Sequence, residues 1–163
     1  MSINFTFDAQ NLYGIGTDSL DLDQDGSHDL FIHLNVINPD SQHLITGWPN
    51  LLPSCRLSCR NGFEVALYVE SYPIGMGQSN LAYFADRLDH NERIDQLSEW
   101  DDTDIRMWAQ TIGGVGVPPY GDWYFAGSEN YLALRNGSGS FVWIKIDGST
   151  VSEPQIISYA ISN

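Results

Sequence analysis

The sequence is poor in positive charge and in sulfur. Lys145 is its single lysine, and seven basic residues stand against 21 acidic ones, a formal net charge of −14 over 163 residues. Such a chain repels nucleic acid and anionic membrane surfaces, which excludes both as partners and favours cations or a basic partner. Its two cysteines, Cys55 and Cys59, are too few for a disulfide scaffold or a zinc site. No apolar run approaches the roughly 20 residues of a membrane-spanning helix, so membrane insertion is not expected. No leader is visible at Met1, where Ile3–Phe7 already reads as a strand. A leader already removed and a cytosolic protein both fit that start. There is no G-x-S-x-G, no phosphate-binding glycine loop, and no HxH or HExxH spacing among His28, His33, His43 and His90.

What is present is a globular composition, 42% apolar with only 17% charged residues, on a length that suits one domain spanning 1–163. The dominant period is two. Leu30, Ile32, Leu34 and Val36 alternate with Phe31, His33 and Asn35; Phe63, Val65, Leu67 and Val69 alternate with Glu64, Ala66 and Tyr68. Val142, Ile144 and Ile146 alternate with Phe141, Trp143, Lys145 and Asp147. Each run predicts a strand with one face in a core. Turn signals lie between them: Asn61-Gly62, and Asn136-Gly137-Ser138-Gly139 as a hairpin between Tyr131–Arg135 and Phe141–Ile146. Gln155–Ile161 predicts a closing strand. The expected fold is all-β, a sandwich of jelly-roll type, with one or two short helices in its loops. The helix candidates are Glu92–Trp100 and Thr103–Ile112, the latter with Ile105, Trp108, Ala109 and Ile112 at helical spacing. Ser71–Asn80 and Gly113–Gly121 read as long Gly/Pro-rich loops.

One segment carries chemistry. Asp21-Leu22-Asp23-Gln24-Asp25-Gly26-Ser27-His28-Asp29 spells D-x-D-x-D-G-x-x-D. Calcium takes six to eight oxygens, and alternate carboxylates in a tightly curled loop point to a common centre. Gly26 permits the sharp turn. The expected ligands are Asp21, Asp23, Asp25, the Ser27 carbonyl and Asp29. An EF-hand would close with Glu at its twelfth position, which here is Ile32, inside a strand. The loop is therefore a β-loop, and its spacing resembles the calcium loops of integrin-type β-propeller repeats. One copy does not make a propeller. The plainer alternative is an acidic Asp-Gly turn before a strand.

Beyond that loop the chain resembles a group of exported bacterial all-β proteins. The matching stretches are Asp21–Phe31, Arg87–Ile94 with Trp100, Tyr131–Arg135, Trp143–Ile146 and Ile156–Ala160. Ala133 and Val142 stand where those proteins favour Gly, and Ile161 where they favour an aromatic. The resemblance implies export, an all-β core and no assigned activity.

Three further sets of residues are candidates. Cys55 and Cys59, four apart in an apparent turn, suit a disulfide if the protein is exported, or else two thiols, at least one of them buried. The acids of Glu99–Asp104 form a second cation site, one side of the first, or a solvated loop leading into a helix cap. Trp48, Tyr120 and Trp123 lie in loop-like contexts near carboxylates, the chemistry of sugar recognition; the alternative is that they fill the core. The expected function is a non-catalytic exported or cell-surface domain that holds Ca2+ and serves in binding, adhesion or structure. Its partner would be a glycan or a cell-surface protein. The second candidate is a carbohydrate-binding module or carbohydrate-active enzyme.

Overall fold

Leu30, Ile32 and Leu34 are buried while Phe31 and His33 between them are half-buried, so the period-two reading becomes a strand with one face in the core. The same alternation separates buried Val142, Ile144 and Ile146 from half-buried Phe141, Trp143 and Lys145. The computed structural model describes residues 5–8, 13–37, 54–75, 78–94, 97, 99–102, 105–109, 120–125, 127–148 and 155–162. Its strands are β1 (Phe5–Asp8), β2 (Tyr13–Leu20), β3 (Leu30–Ile37), β4 (Ser54–Cys59), β5 (Glu64–Gly75), β6 (Gln78–Ala85), β7 (Trp100–Asp101), β8 (Ile105–Ala109), β9 (Gly127–Arg135), β10 (Phe141–Gly148) and β11 (Gln155–Ile161). A 3-10 turn covers Asp122–Phe125.

The strands pair in the order β1-β2-β3-β4-β8-β6-β5-β9-β10-β11, with β7 beside β5. All these pairs are antiparallel except β6 with β8, which makes the sheet mixed. The path curls. Leu30, Ile32 and Leu34 of β3 share one core with Leu132 and Leu134 of β9 and with Val142, Ile144 and Ile146 of β10. Truncating a fully buried member such as Leu30 or Ile144 to Ala would cost about 2–5 kcal/mol. β5 joins the two halves: Leu67–Gly75 pairs with β6, while Glu64 and Val65 pair with β9. A second cluster lies on the outer face of β9 and β10, where Ala66, Leu88, Ile94 and Ala133 are covered by Leu97, Trp100, Tyr131, Phe141 and Trp143.

The all-β class holds, and three expectations need correction. No α-helix forms among the described residues. In Thr103–Ile112, residues 105–109 are β8: Ile105, Met107 and Trp108 are buried in the main core, with a bulge in the pairing to β4 bringing Trp108 to that side, and Ala109 is buried with Ala82 and Phe84 in a separate cluster. With both faces covered, apolar residues occur at spacings that imitate a helix. Of the Glu92–Trp100 candidate, Trp100 opens β7, and no regular helix is formed by its described residues. Ser71–Gly75 continues β5 and Gln78–Asn80 begins β6, so much of the expected loop is hairpin. Among the described residues Pro73 is paired on one side only, with Ser79 of β6, because the pairing of β5 with β9 stops at Val65, and a strand edge open on its other side tolerates a residue without an N–H.

The third correction is the disulfide. Cys55 and Cys59 are unbonded and both buried. They lie at the two ends of a straight strand whose burial alternates, and four residues of strand span about 13 Å, twice the reach of a disulfide. The Cys55 thiol sits 3.5 Å from the Met107 thioether. Burial pushes both thiols up to about 12, and Asp102, Asp29 and Glu64 add to the effect at Cys59.

Candidate metal centre

Leu20 and Leu30 pair directly across β2 and β3, so Asp21–Asp29 is the loop of a hairpin clamped at both ends. Leu22 is fully buried and anchors the loop to the core from within. Gln24 and Gly26 take positive φ, 63° and 93°, and these two reversals curl the backbone. The aspartates then bind the loop's own amides. Asp21 Oδ2 accepts from the Gly26 N–H at 2.9 Å, Asp23 Oδ1 from Asp25 at 3.2 Å, and Asp25 Oδ1 from Ser27 at 2.7 Å.

Carboxylate oxygens of Asp21, Asp23 and Asp29 converge to within 4.8 Å of one another. Two unit charges at that 4.8 Å limit repel by roughly 1 kcal/mol in bulk water and about 3.5 kcal/mol at an effective dielectric near 20. Asp29 is entirely buried. Its Oδ2 accepts from the Leu22 N–H at 2.7 Å and its Oδ1 from the Asn61 side-chain amide at 2.8 Å. Its backbone is also fixed, donating to the Leu20 carbonyl and accepting from the Arg60 N–H. Asp21 Oδ1, by contrast, is buried with no hydrogen-bond partner. A buried carboxylate oxygen without a donor is costly unless something positive satisfies it. That atom, in an all-oxygen donor set, fits a hard cation. Asp25 is not among the three converging groups, and the Ser27 N–H is engaged with Asp25. His28 at the free position is exposed and hydrogen-bonds through Nδ1 to Ser19 Oγ.

Sequence reasoning missed Asn61. It lies 32 residues from Asp29, in the Asn61-Gly62 corner that leads from β4 to β5. Both corner residues have positive φ, 57° and 79°. The dipeptide marks a turn, but nothing local says that its amide will reach the acidic loop. The corner is also not a hairpin, for β4 and β5 do not pair with each other.

The other candidates separate. The Glu99–Asp104 acids do not form a second cation cluster among the described residues. Trp100 and Asp101 pair with Ala66 and Val65, the Glu99 carbonyl accepts from Leu67, and the Asp102 carbonyl accepts from Cys59. Residues 103 and 104 lie outside the described set. Trp123 is a core residue, only 2% exposed, with its indole N–H donating to the Ala85 carbonyl at 3.0 Å, so it is no ligand platform. Tyr120 is half-buried against Ala82, Phe84 and Ala109, and its backbone bridges to Ala109. Gly121 between them has φ of 89°, and a Cβ there would come within 2.4 Å of the Met107 carbonyl oxygen. The Tyr120–Trp123 run is thus a packing motif. Trp48 lies outside the described residues.

No family model, curated protein or solved structure matched this chain.

Proposed function

We propose that the protein is a non-catalytic calcium-binding domain of sandwich type, exported or displayed at the cell surface. There the ion stabilises the fold for a binding or adhesive role. Asp21, Asp23, Asp25, the Ser27 carbonyl and Asp29 are the proposed ligands. The observation that carries this is the convergence of Asp21, Asp23 and Asp29, with one oxygen of the Asp21 carboxylate buried and unpartnered. A cation there offsets the mutual repulsion of the carboxylates and fixes the entry to β3. Calcium is favoured over magnesium because a curled loop supplies many oxygens in irregular geometry, whereas magnesium demands an octahedron and sheds water reluctantly. Export is supported only by the resemblance of the scattered segments noted above.

Thermal melts in chelator, then with calcium or magnesium restored, test the reading. Free calcium at 100 times its dissociation constant is expected to add about 2.7 kcal/mol, and magnesium far less. Equal melting temperatures in chelator and in millimolar calcium would reduce the loop to an acidic turn.

A further inference from the structure

A juxtaposition of aromatic rings with carboxylates occurs on the outer face of the sheet, away from Tyr120 and Trp123. Tyr131 of β9 and Trp143 of β10 lie on the outer face of the sheet, half-buried. Because Tyr131 pairs with Lys145, Trp143 is its diagonal neighbour. Residues 89–92 form an exposed turn beside them. The turn is fixed at its root by two backbone bonds of 3.0 Å between Leu88 and Tyr131 and by burial of Leu88. Within it, Glu92 Oε2 accepts from the Asp89 N–H at 2.5 Å and the Asp89 carbonyl accepts from the Glu92 N–H at 3.2 Å. Asn91 adopts φ of 76°, a conformation seldom taken by a residue with a side chain. The His90 and Tyr131 rings lie 6.1 Å apart. Together these residues line an open cavity of about 210 Å³.

We infer that this cavity is a binding site for a single neutral sugar ring. Such a ring presents an apolar CH face, which suits Tyr131 and Trp143, and a rim of hydroxyls that both donate and accept. Asp89 and Glu92 accept from hydroxyls; the Asn91 amide and the His90 imidazole offer donors. The volume is below the roughly 300–1,000 Å³ of sites that enclose drug-sized ligands, which limits the occupant to one ring. The anchored turn reduces the ordering cost of binding. The two carboxylates disfavour an anionic sugar. A quaternary ammonium would also suit rings and carboxylates. It would make no use of the donors, however, and Lys145 places a positive charge on the same sheet face, across from Tyr131. The inference gives a ligand class to the binding role proposed above, at a site that does not use the cation.

The test is calorimetric titration of the whole chain with methyl glycosides of glucose, galactose and mannose, up to tens of millimolar, in chelator and in calcium. At least one glycoside is expected to bind saturably, with the same affinity in both buffers. Asp89→Ala and Tyr131→Ala should each weaken that binding by about tenfold, the loss of one charge-assisted hydrogen bond or one stacked face. Asp89→Ala sits on the exposed turn, so it keeps the test decisive if Tyr131→Ala fails to fold. No saturation with any glycoside, saturation unchanged in Asp89→Ala, or saturation with tetramethylammonium alone would overturn the proposal. Saturable sugar binding without a calcium effect on melting would leave this site standing and remove the metal centre.

Discussion

Two acidic segments, Asp21–Asp29 and Glu99–Asp102, carry similar charge and meet different fates. In the first, aspartates at alternate positions are wrapped by two positive-φ residues until three carboxylates converge. In the second, Glu99, Asp101 and Asp102 flank Trp100, and the backbone is laid out along β5. An extended backbone advances about 3.3 Å per residue and cannot curl its acids back on one another, so their charges spread instead of gathering. Spacing and a residue that permits the reversal make a candidate site; charge density does not.

The largest expected effect tests whether the acids of the first segment are built into the fold. Asp29→Ala removes the acceptor for two donors, the Leu22 N–H and the Asn61 amide, at a fully buried position. Urea unfolding in chelator is expected to show a loss of about 2–3 kcal/mol, reduced in part by relief of carboxylate repulsion. Asp102→Ala, whose carbonyl rather than its exposed side chain is used by Cys59, should stay within about 0.5 kcal/mol of the parent. If both variants lose equally, the distinction between the segments fails.

Next in size is the cation response itself. Asp23→Ala should abolish most of the roughly 2.7 kcal/mol gained at saturating calcium while changing the chelated protein little, since Asp23 is exposed. Asp102→Ala should keep the full response. Calcium-dependent shifts in melting temperature would separate the two.

A subtler probe reads the second segment through its neighbour. The Cys59 N–H donates to the Asp102 carbonyl at 2.6 Å, and the thiol of Cys59, like that of Cys55, is buried and raised to about 12. At pH 8 both thiols should resist iodoacetamide in the native protein and react once urea unfolds it. Mass spectrometry showing rapid native alkylation of Cys59 alone would mean that β7 opens locally.

The smallest effect concerns His33, on the strand that the acidic loop leads into. Burial holds its pKa below the usual 6.5, and Arg56 and Arg60 add to this. Above about pH 6.5 the imidazole is neutral in both folded and unfolded chains and contributes nothing. As pH falls through 6.5, the unfolded chain takes up the proton first, so stability declines. His33→Gln should flatten the pH dependence of the melting temperature between about pH 7 and pH 5, leaving any remaining slope to the carboxylates.

Where one face of a strand is buried and the other is wetter, the pattern is legible in the sequence, as in β3 and β10. β8 hides because both its faces are covered, and alternation vanishes when there is no contrast to record. β2 hides for the opposite reason: Gly14, Gly16 and the polar run Thr17-Asp18-Ser19 give it little apolar signal. β4 was obscured by its cysteines, whose spacing suits a turn but equally suits one face of a strand. The acidic loop was legible because its ligands are local and its glycine marks the reversal. Asn61 was not, since a contact across 32 residues depends on where the Asn61-Gly62 corner falls in space. The choice between ligand platform and core filler at Trp123 was not legible either, because it reads as a loop residue until the Ala85 carbonyl and the core are placed around it.

The thin seam between β5 and β9 has a kinetic consequence. Among the described residues, Glu64 with Arg135 and Val65 with Leu134 are the pairs formed there, reinforced by an Arg135 Nε to Glu64 Oε2 bond of 2.6 Å. Glu64 and Arg135 are 71 residues apart in the chain, whereas the β9–β10 hairpin closes over a handful. Closing the longer loop costs roughly 2 kcal/mol more in chain entropy. Hairpins such as β2–β3, β5–β6 and β9–β10 would therefore assemble early, and the seam would close last. Folding rate should respond to the register at Val65 far less than unfolding rate does, which makes this short seam a place where the lifetime of the native state is set.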